Sequence, residues 1–339
     1  MNLAPTDDDL RRAAAATLLS SFAGDRVPGW LARRVGEGLG GVCLYGSNRD
    51  ADQPAVSAML HGLRPDVIVS LDEEGGDVTR LEAATGSSVP GNAALGAVDD
   101  VELTRRVAVA LGRALAAAGV DLDLAPCADV NTDPANPVIG VRSFGADVDL
   151  VARHTAASVA GLQAAGVAAC VKHFPGHGAV AVDSHLDLPT VTAPLDVLRR
   201  RELVPFRAAI DAGCAAVMTA HLLVPALDDL PATVSRRILT DLLRGELGFT
   251  GCVVTDALDM AGIGGPAAIP TNVVRAIAAG ADLCCLGPDN TDELVGACVD
   301  ALVAAVGTGE LPESRLRDAA ATVQRFSVRE RLPERPLQG

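Results

Sequence analysis

The chain has 339 residues and a formal net charge of -15, enough length for one large domain or two ordinary ones, and no basic surplus. That balance argues against a nucleic-acid or anionic-membrane partner and reads as an acidic, solvated surface. Hydrophobic residues make up 49% of the chain and aromatic residues only 2%, so its core is built from Ala, Val, Leu and Gly.

The elements follow in order. Residues 10–39 read as helical, with Leu10 to Phe22 rich in Ala and Leu behind an acidic start. A short apolar strand, Gly41 to Tyr45, comes next, then a helix over 52–63 and a second strand, Val67 to Leu71, ending in Asp72-Glu73-Glu74. A Gly- and Pro-containing loop leads to a helix from Val101 to Ala118, closed by Gly119. The third strand, Asp121 to Pro126, opens a long loop that carries Asp129, Asp133 and Arg142. A helix over Leu150 to Ala165 precedes the fourth strand, Gly166 to Val171. Then come a helix over Leu195 to Ala212, a strand from Ala215 to His221, and a helix over Ser235 to Gly245. A strand from Gly251 to Asp256, a helix over Val273 to Ala279, a strand from Asp282 to Leu286 and helices over 291–306 and 313–326 complete the chain.

Seven strands alternating with helices predict a parallel sheet, and near-continuous apolar strands fit a sheet covered on both faces. Length and strand count favour an α/β fold of the single-domain (β/α)8 TIM-barrel type over residues 1–339, with its site at the C-terminal strand ends. A doubly wound sheet is the alternative, but no glycine-rich nucleotide fingerprint follows the first strand. The eight cysteines lie mostly in apolar runs without C-x-x-C spacing and read as small core residues in a reducing compartment. The first residues lack the pattern of a secretion signal, and no run is long enough to span a bilayer, so a cytoplasmic location and no membrane partner are expected.

One stretch concentrates the chemistry. Lys172-His173-Phe174-Pro175-Gly176-His177-Gly178 follows a strand and runs on to Asp183-Ser184-His185, placing three His, one Lys and one Asp within 14 residues of a chain with six His. On a barrel, Asp72, Arg142, Lys172, His173, His221 and Asp256 gather at one mouth, with the Asp183–His185 loop over it. Bland readings stand beside this one. Asp72 and Asp256 suit turn caps, Glu73 and Glu74 read as solvated or turn-stabilising, and His221 reads as a satisfied strand-end residue. Asp129 and Asp133 read as ordering their own loop, and His61 and His154 as structural residues without polar company. Three chemistries use such a set: glycoside hydrolysis through paired acidic groups, metal-assisted hydrolysis through His173, His177 and His185, and a Schiff base on Lys172. Spacing alone leaves them open.

The motifs narrow the choice. Lys172 to Gly178 followed by Asp183-Ser184-His185 resembles the signature of glycoside hydrolase family 3 β-N-acetylhexosaminidases of the NagZ type. Leu71 to Arg80 is similar to that family's D-x-E-G-G-R-V-x-R block, with Asp77 where Arg is common. Val138 to Gly145 is similar to its I-G-x-R-S-F/Y segment. Glu246 to Gly251 and Val253 to Met260 resemble its nucleophile region, with Ala257 and Asp259 departing from the usual Asp and Ser. The likeness covers about residues 35 to 290. It implies a retaining exo-β-N-acetylglucosaminidase with Asp256 as nucleophile, His185 as acid/base and Asp183 orienting it. Asp72, Arg80, Arg142, Lys172 and His173 would bind the sugar, with no metal or organic cofactor. It also implies a small carbohydrate substrate and a role in muropeptide recycling. A phosphorylase sharing the same intermediate and a catalytically dead sugar-binding protein are the alternatives.

Overall fold

The computed structural model describes residues 7–180 and 188–329, the last three of these as backbone only. Among the described residues eight short parallel strands form one sheet: β1 (Leu18–Ser20), β2 (Gly41–Cys43), β3 (Ile68–Leu71), β4 (Leu122–Asp123), β5 (Ala168–Phe174), β6 (Ala216–Thr219), β9 (Cys252–Val254) and β10 (Cys284–Cys285). Their order is β10-β1-β2-β3-β4-β5-β6-β9. A parallel bridge between Val254 and Leu283 joins the two edge strands, with Thr255 N–H donating to the Leu283 carbonyl at 2.9 Å. The sheet is thereby a closed (β/α)8 barrel. A small antiparallel hairpin, β7 (Leu223–Val224) and β8 (Asp228–Pro231), stands beyond β6.

Strand pleating divides the apolar residues between two compartments. Leu19, Cys43, Ile68, Leu122, Ala168, Cys170, Ala216, Cys252 and Leu283 point inward and fill the barrel. Their neighbours Leu18, Val42, Val69, Ala169, Val171, Val217 and Val253 point outward beneath the helices. Every residue of the eight barrel strands is therefore buried, which is why those strands read as continuous apolar runs.

The surrounding helices are α1 (Asp7–Ala16), α2 (Gly29–Glu37), α3 (Gln53–Leu63), α4 (Asn92–Val98), α5 (Val101–Ala117), α6 (Val148–Ala164), α7 (Leu195–Arg200), α8 (Leu203–Asp211), α9 (Ile269–Ala279), α10 (Asp292–Thr308) and α11 (Glu313–Arg329), with a π-wound segment at Arg237–Glu246. Several begin on a side-chain cap: Asp52, Asp100 and Asp147 accept from the N–H groups of Ala55, Leu103 and Leu150. Among the described residues no helix is long and apolar enough to cross a membrane.

Three expectations change. Leu10 to Phe22 is not one helix: α1 ends at Ala16, and Leu18 and Leu19 pair with Cys284 and Cys285, supplying the strand that the sequence count lacks. The alanine run carries helix propensity into a segment whose two leucines gain more by filling the sheet. The helix at Leu195 to Ala212 is two, because Pro205 cannot donate to the Arg201 carbonyl and fits only the first turn of a new helix. The loop after β3 contains α4, a short helix capped without a side chain.

Candidate active site

The C-terminal ends of the strands open into a cavity of about 390 Å³. Tyr45 comes from the end of β2, Asp72, Glu74 and Arg80 from the segment after β3, Lys172 and His173 from β5, and Asp256 and Asp259 from beyond β9. Arg142 reaches the same space from the long loop after β4, and His177 from the loop after β5. Strand register alone delivers most of this set, as the barrel reading expects.

The charges are tightly interlocked. Lys172 Nζ lies 2.6 Å from Asp72 Oδ1 and 2.8 Å from Glu74 Oε1, and is 2% exposed. Arg142 donates to both oxygens of Glu74, at 2.7 Å from Nη2 and 3.0 Å from Nε. Arg80 sits 3.7 Å from Asp72 on the solvent side. Burial alone would raise the pKa of Glu74, but the Lys172 ammonium and the Arg142 guanidinium hold its carboxyl far below the usual range. Burial would lower that of Lys172, yet Asp72 and Glu74 raise it above an ordinary lysine. A lysine held in its ammonium form is a poor nucleophile, so the Schiff-base chemistry left open by the spacing loses its support.

Asp256, beyond β9, lines the same cavity. Burial pushes its pKa up, but the fields of His173 and His221 and the N–H of Ala257, 2.8 Å from Oδ1, bring it below the ordinary carboxylate value. An ionised, partly buried carboxylate facing a sugar-sized cavity is a competent nucleophile or charge stabiliser.

Asp72, Arg80, Arg142, Lys172, His173 and Asp256 therefore meet, as expected from the sequence. Asp183 and His185 lie outside the described residues. His221, expected at the mouth, is instead fully buried and does not line the cavity; Nδ1 lies 2.8 Å from Thr233 Oγ1 and Nε2 2.9 Å from the Ala257 carbonyl, so the alternative reading of a satisfied strand-end residue holds. Asp133 orders its loop through Ala135 N–H.

Four readings need correction. Glu74 is neither solvated nor a turn cap; it is the buried counter-charge of two site cations. Glu73 does stabilise its turn, by accepting from the N–H groups of Arg80 and Leu81, but it is buried rather than solvated. Asp129 does more than order its own loop. The chain beyond β4 continues alongside β5, with Ala128 N–H donating to the Lys172 carbonyl, and this brings the Asp129 carboxylate 2.7 Å from His173 Nδ1. His61 and His154 are structural but not without polar company: His61 meets Asp121, and His154 meets Thr104 and Asp99. Partners on other elements leave no mark in a local sequence window.

The residues of this mouth fall inside a region, 39–326, that matches the family model described as the Glycosyl hydrolase family 3 N terminal domain. The chain belongs to glycosyl hydrolase family 3. Its relatives within the family include the Beta-hexosaminidase of Thiobacillus denitrificans, 40% identical over 275 residues that are 78% of this chain and 76% of that protein. Beta-hexosaminidase A of Pseudoalteromonas piscicida is 42% identical over 214 residues, 58% of this chain but only 36% of the larger protein. A solved family 3 β-N-acetylglucosaminidase from Paenibacillus superposes with a TM-score of 0.90 at 40% identity, covering 96% of this chain and 63% of that one. The family 3 chain thus covers 36% to 76% of these three proteins, and the shared part includes the barrel with its mouth. Asp77, which departs from the family block, is exposed, whereas Asp259 lines the cavity itself.

Proposed function

We propose that this family 3 chain is a retaining exo-β-N-acetylglucosaminidase. In this reading Asp256 attacks the anomeric carbon of a terminal β-linked N-acetylglucosamine and forms a covalent glycosyl-enzyme. His185, oriented by Asp183, protonates the departing oxygen and then takes a proton from the water that releases the sugar. The roles of Asp183 and His185 rest on the sequence resemblance. Asp72, Arg80, Arg142, Lys172 and His173 hold the sugar hydroxyls, the charged groups fixing its orientation. The barrel acts as one catalytic unit and supplies every assigned group among the described residues.

The observation that carries this reading is the convergence of an ionised Asp256 with the Asp72–Lys172–Glu74–Arg142 network around one cavity of monosaccharide scale. Four carboxylates line that cavity among the described residues, Asp72, Glu74, Asp256 and Asp259, against three permanent cations. The balance favours neutral water over a phosphate dianion as the second nucleophile. A cytoplasmic role in recycling muropeptides belongs to the same proposal; all eight cysteines are buried free thiols, in keeping with a reducing compartment.

The test is nitrophenol release from 4-nitrophenyl N-acetyl-β-glucosaminide at neutral pH, with and without phosphate and with chelator present. Turnover unaffected by either addition is expected. Phosphate stimulation with a sugar 1-phosphate as product would move the assignment to a phosphorylase, and no turnover would favour a binding protein. Asp256→Ala should lower the rate by roughly four orders of magnitude while the protein stays folded. Trapping with a 5-fluoro glycosyl fluoride should add one sugar to the peptide containing Asp256, and an inverted anomer in the product would overturn the double displacement.

A further inference from the structure

Beneath the sugar-facing residues lies a second carboxylate that the reaction as written does not use. Asp129 is fully buried, and its two oxygens are met by four donors: His173 Nδ1 at 2.7 Å and the Cys127 thiol at 3.2 Å on Oδ2, and the N–H groups of His177 at 2.6 Å and His173 at 3.3 Å on Oδ1. That fills the acceptor capacity of a carboxylate. On the other side of the His173 ring, Nε2 faces the cavity with Arg142 Nη2 3.4 Å away.

We propose that Asp129 is the positioning residue for His173, fixing its imidazole as the Nδ1–H tautomer and presenting Nε2 to the cavity as a hydrogen-bond acceptor. Two chemical constraints agree on this. An ionised carboxylate can only accept, so the proton between Asp129 and Nδ1 belongs to the ring. A guanidinium can only donate, so the nitrogen facing Arg142 carries a lone pair. His173 therefore accepts a hydrogen bond from a bound hydroxyl or amide, whereas its neighbours Lys172 and Arg142 donate hydrogen bonds. The sequence reading left Asp129 with its own loop because nothing local shows that the loop is laid against β5. Gly178 completes that contact: a Cβ there would sit 2.0 Å from the Val130 carbonyl, so only glycine lets the two loops touch.

The Cys127 thiol, the Asp129 carboxylate and the His173 ring also form a grouping of metal-ligand types, with ligand atoms within 4.8 Å of one another. Each oxygen of Asp129 is already committed to protons, and a cation would have to displace both the thiol and the Nδ1 hydrogen. The hydrogen-bonded arrangement accounts for the cluster without one.

The sugar-binding consequence rests on the glucosaminidase reading, but the tautomer does not. Long-range 15N–1H spectra of histidine-labelled protein, with His173 assigned by the signal lost in His173→Ala, should show a protonated Nδ1 and a bare Nε2. A proton on Nε2 in the wild type overturns the proposal whether or not the enzyme turns over. In Asp129→Asn the tautomer should become mixed or reversed. Its KM for the nitrophenyl substrate should rise about tenfold, with a smaller change in kcat. The double variant Asp129→Asn/His173→Ala should then be no worse than His173→Ala alone; additive losses would show that Asp129 acts elsewhere. Stoichiometric zinc uptake that Cys127→Ala abolishes would make the cluster a metal site and overturn the assignment. If Asp129→Asn does not fold, the wild-type spectrum still decides.

Discussion

Lys172 and Arg142 enter the cavity with their charges already answered by Glu74, and this sets what a substitution there would do. Glu74→Gln keeps the shape but leaves two buried cations short of a counter-charge. We expect a loss of about 3–5 kcal/mol in urea denaturation and a raised KM, since both cations would lose the partner that aims them. Unchanged stability would mean that Asp72 alone neutralises the pair. Asp129 gives a pH signature with a definite sign. Burial alone would raise its pKa, but the His173 ring and the His177 N–H lower it to about 2. Its unfolded value is near 3.9. A depressed carboxylate stabilises the fold fully above the unfolded value and loses that contribution as pH falls through the folded one. The loss therefore falls between about pH 4 and pH 2, and amounts to roughly 2–3 kcal/mol. Asp129→Asn should flatten the wild-type fall in stability across that window, measured by urea melts at stepped pH. At this scale the sequence shows residues that stand at strand ends, such as Asp72, Lys172 and Asp256. It does not distinguish Glu74 from Glu73, because two adjacent carboxylates differ only in what the rest of the fold brings to each.

Among the elements, closure of the ring depends on a short stretch. Beyond the Val254–Leu283 bridge, Asp282 ties the seam together: it is 1% exposed, accepts from Val253 N–H at 3.0 Å, and pairs with Arg244 at 2.5 Å and Arg315 at 2.6 Å. Arg244 comes from the π-wound segment and Arg315 from α11, so one carboxylate holds two strands to two outer helices. Asp282→Ala should cost about 3–5 kcal/mol in stability, because two guanidinium groups lose their buried partner. The kcat of the protein that remains folded should be unchanged; a selective loss of kcat would place Asp282 in the site's mechanics. The sequence made seven of the eight strands legible because both faces of each are buried and apolar. It hid β1, whose Leu18 and Leu19 continue an alanine-rich helical run without a break, and it hid the interruption at Arg201 because Pro205 was read as part of the helix it begins. Local propensity describes both segments correctly, and tertiary pairing decides them.

For the whole molecule, burial of the thiols is a global property. All eight cysteines are buried and free, and burial raises their pKa values, that of Cys285 to about 12 despite its place on the cavity wall beside Tyr45. Ellman's reagent should find no reactive thiol in the native protein and eight in guanidinium; a fast-reacting thiol in the native state would reveal a path into the interior. The alternation that buries them is the large-scale pattern the sequence displayed best, since it depends on element order and not on contacts. The seam has a further consequence for how the molecule would be followed in time. Asp256 and Asp72 follow strands on opposite sides of the join, so a chain whose sheet has formed but not curled shut holds them at separate places along a ribbon. Recovery of turnover during refolding is then a clock for the joining of the last two edges, and should lag behind the far-ultraviolet circular dichroism that reports the strands and helices themselves.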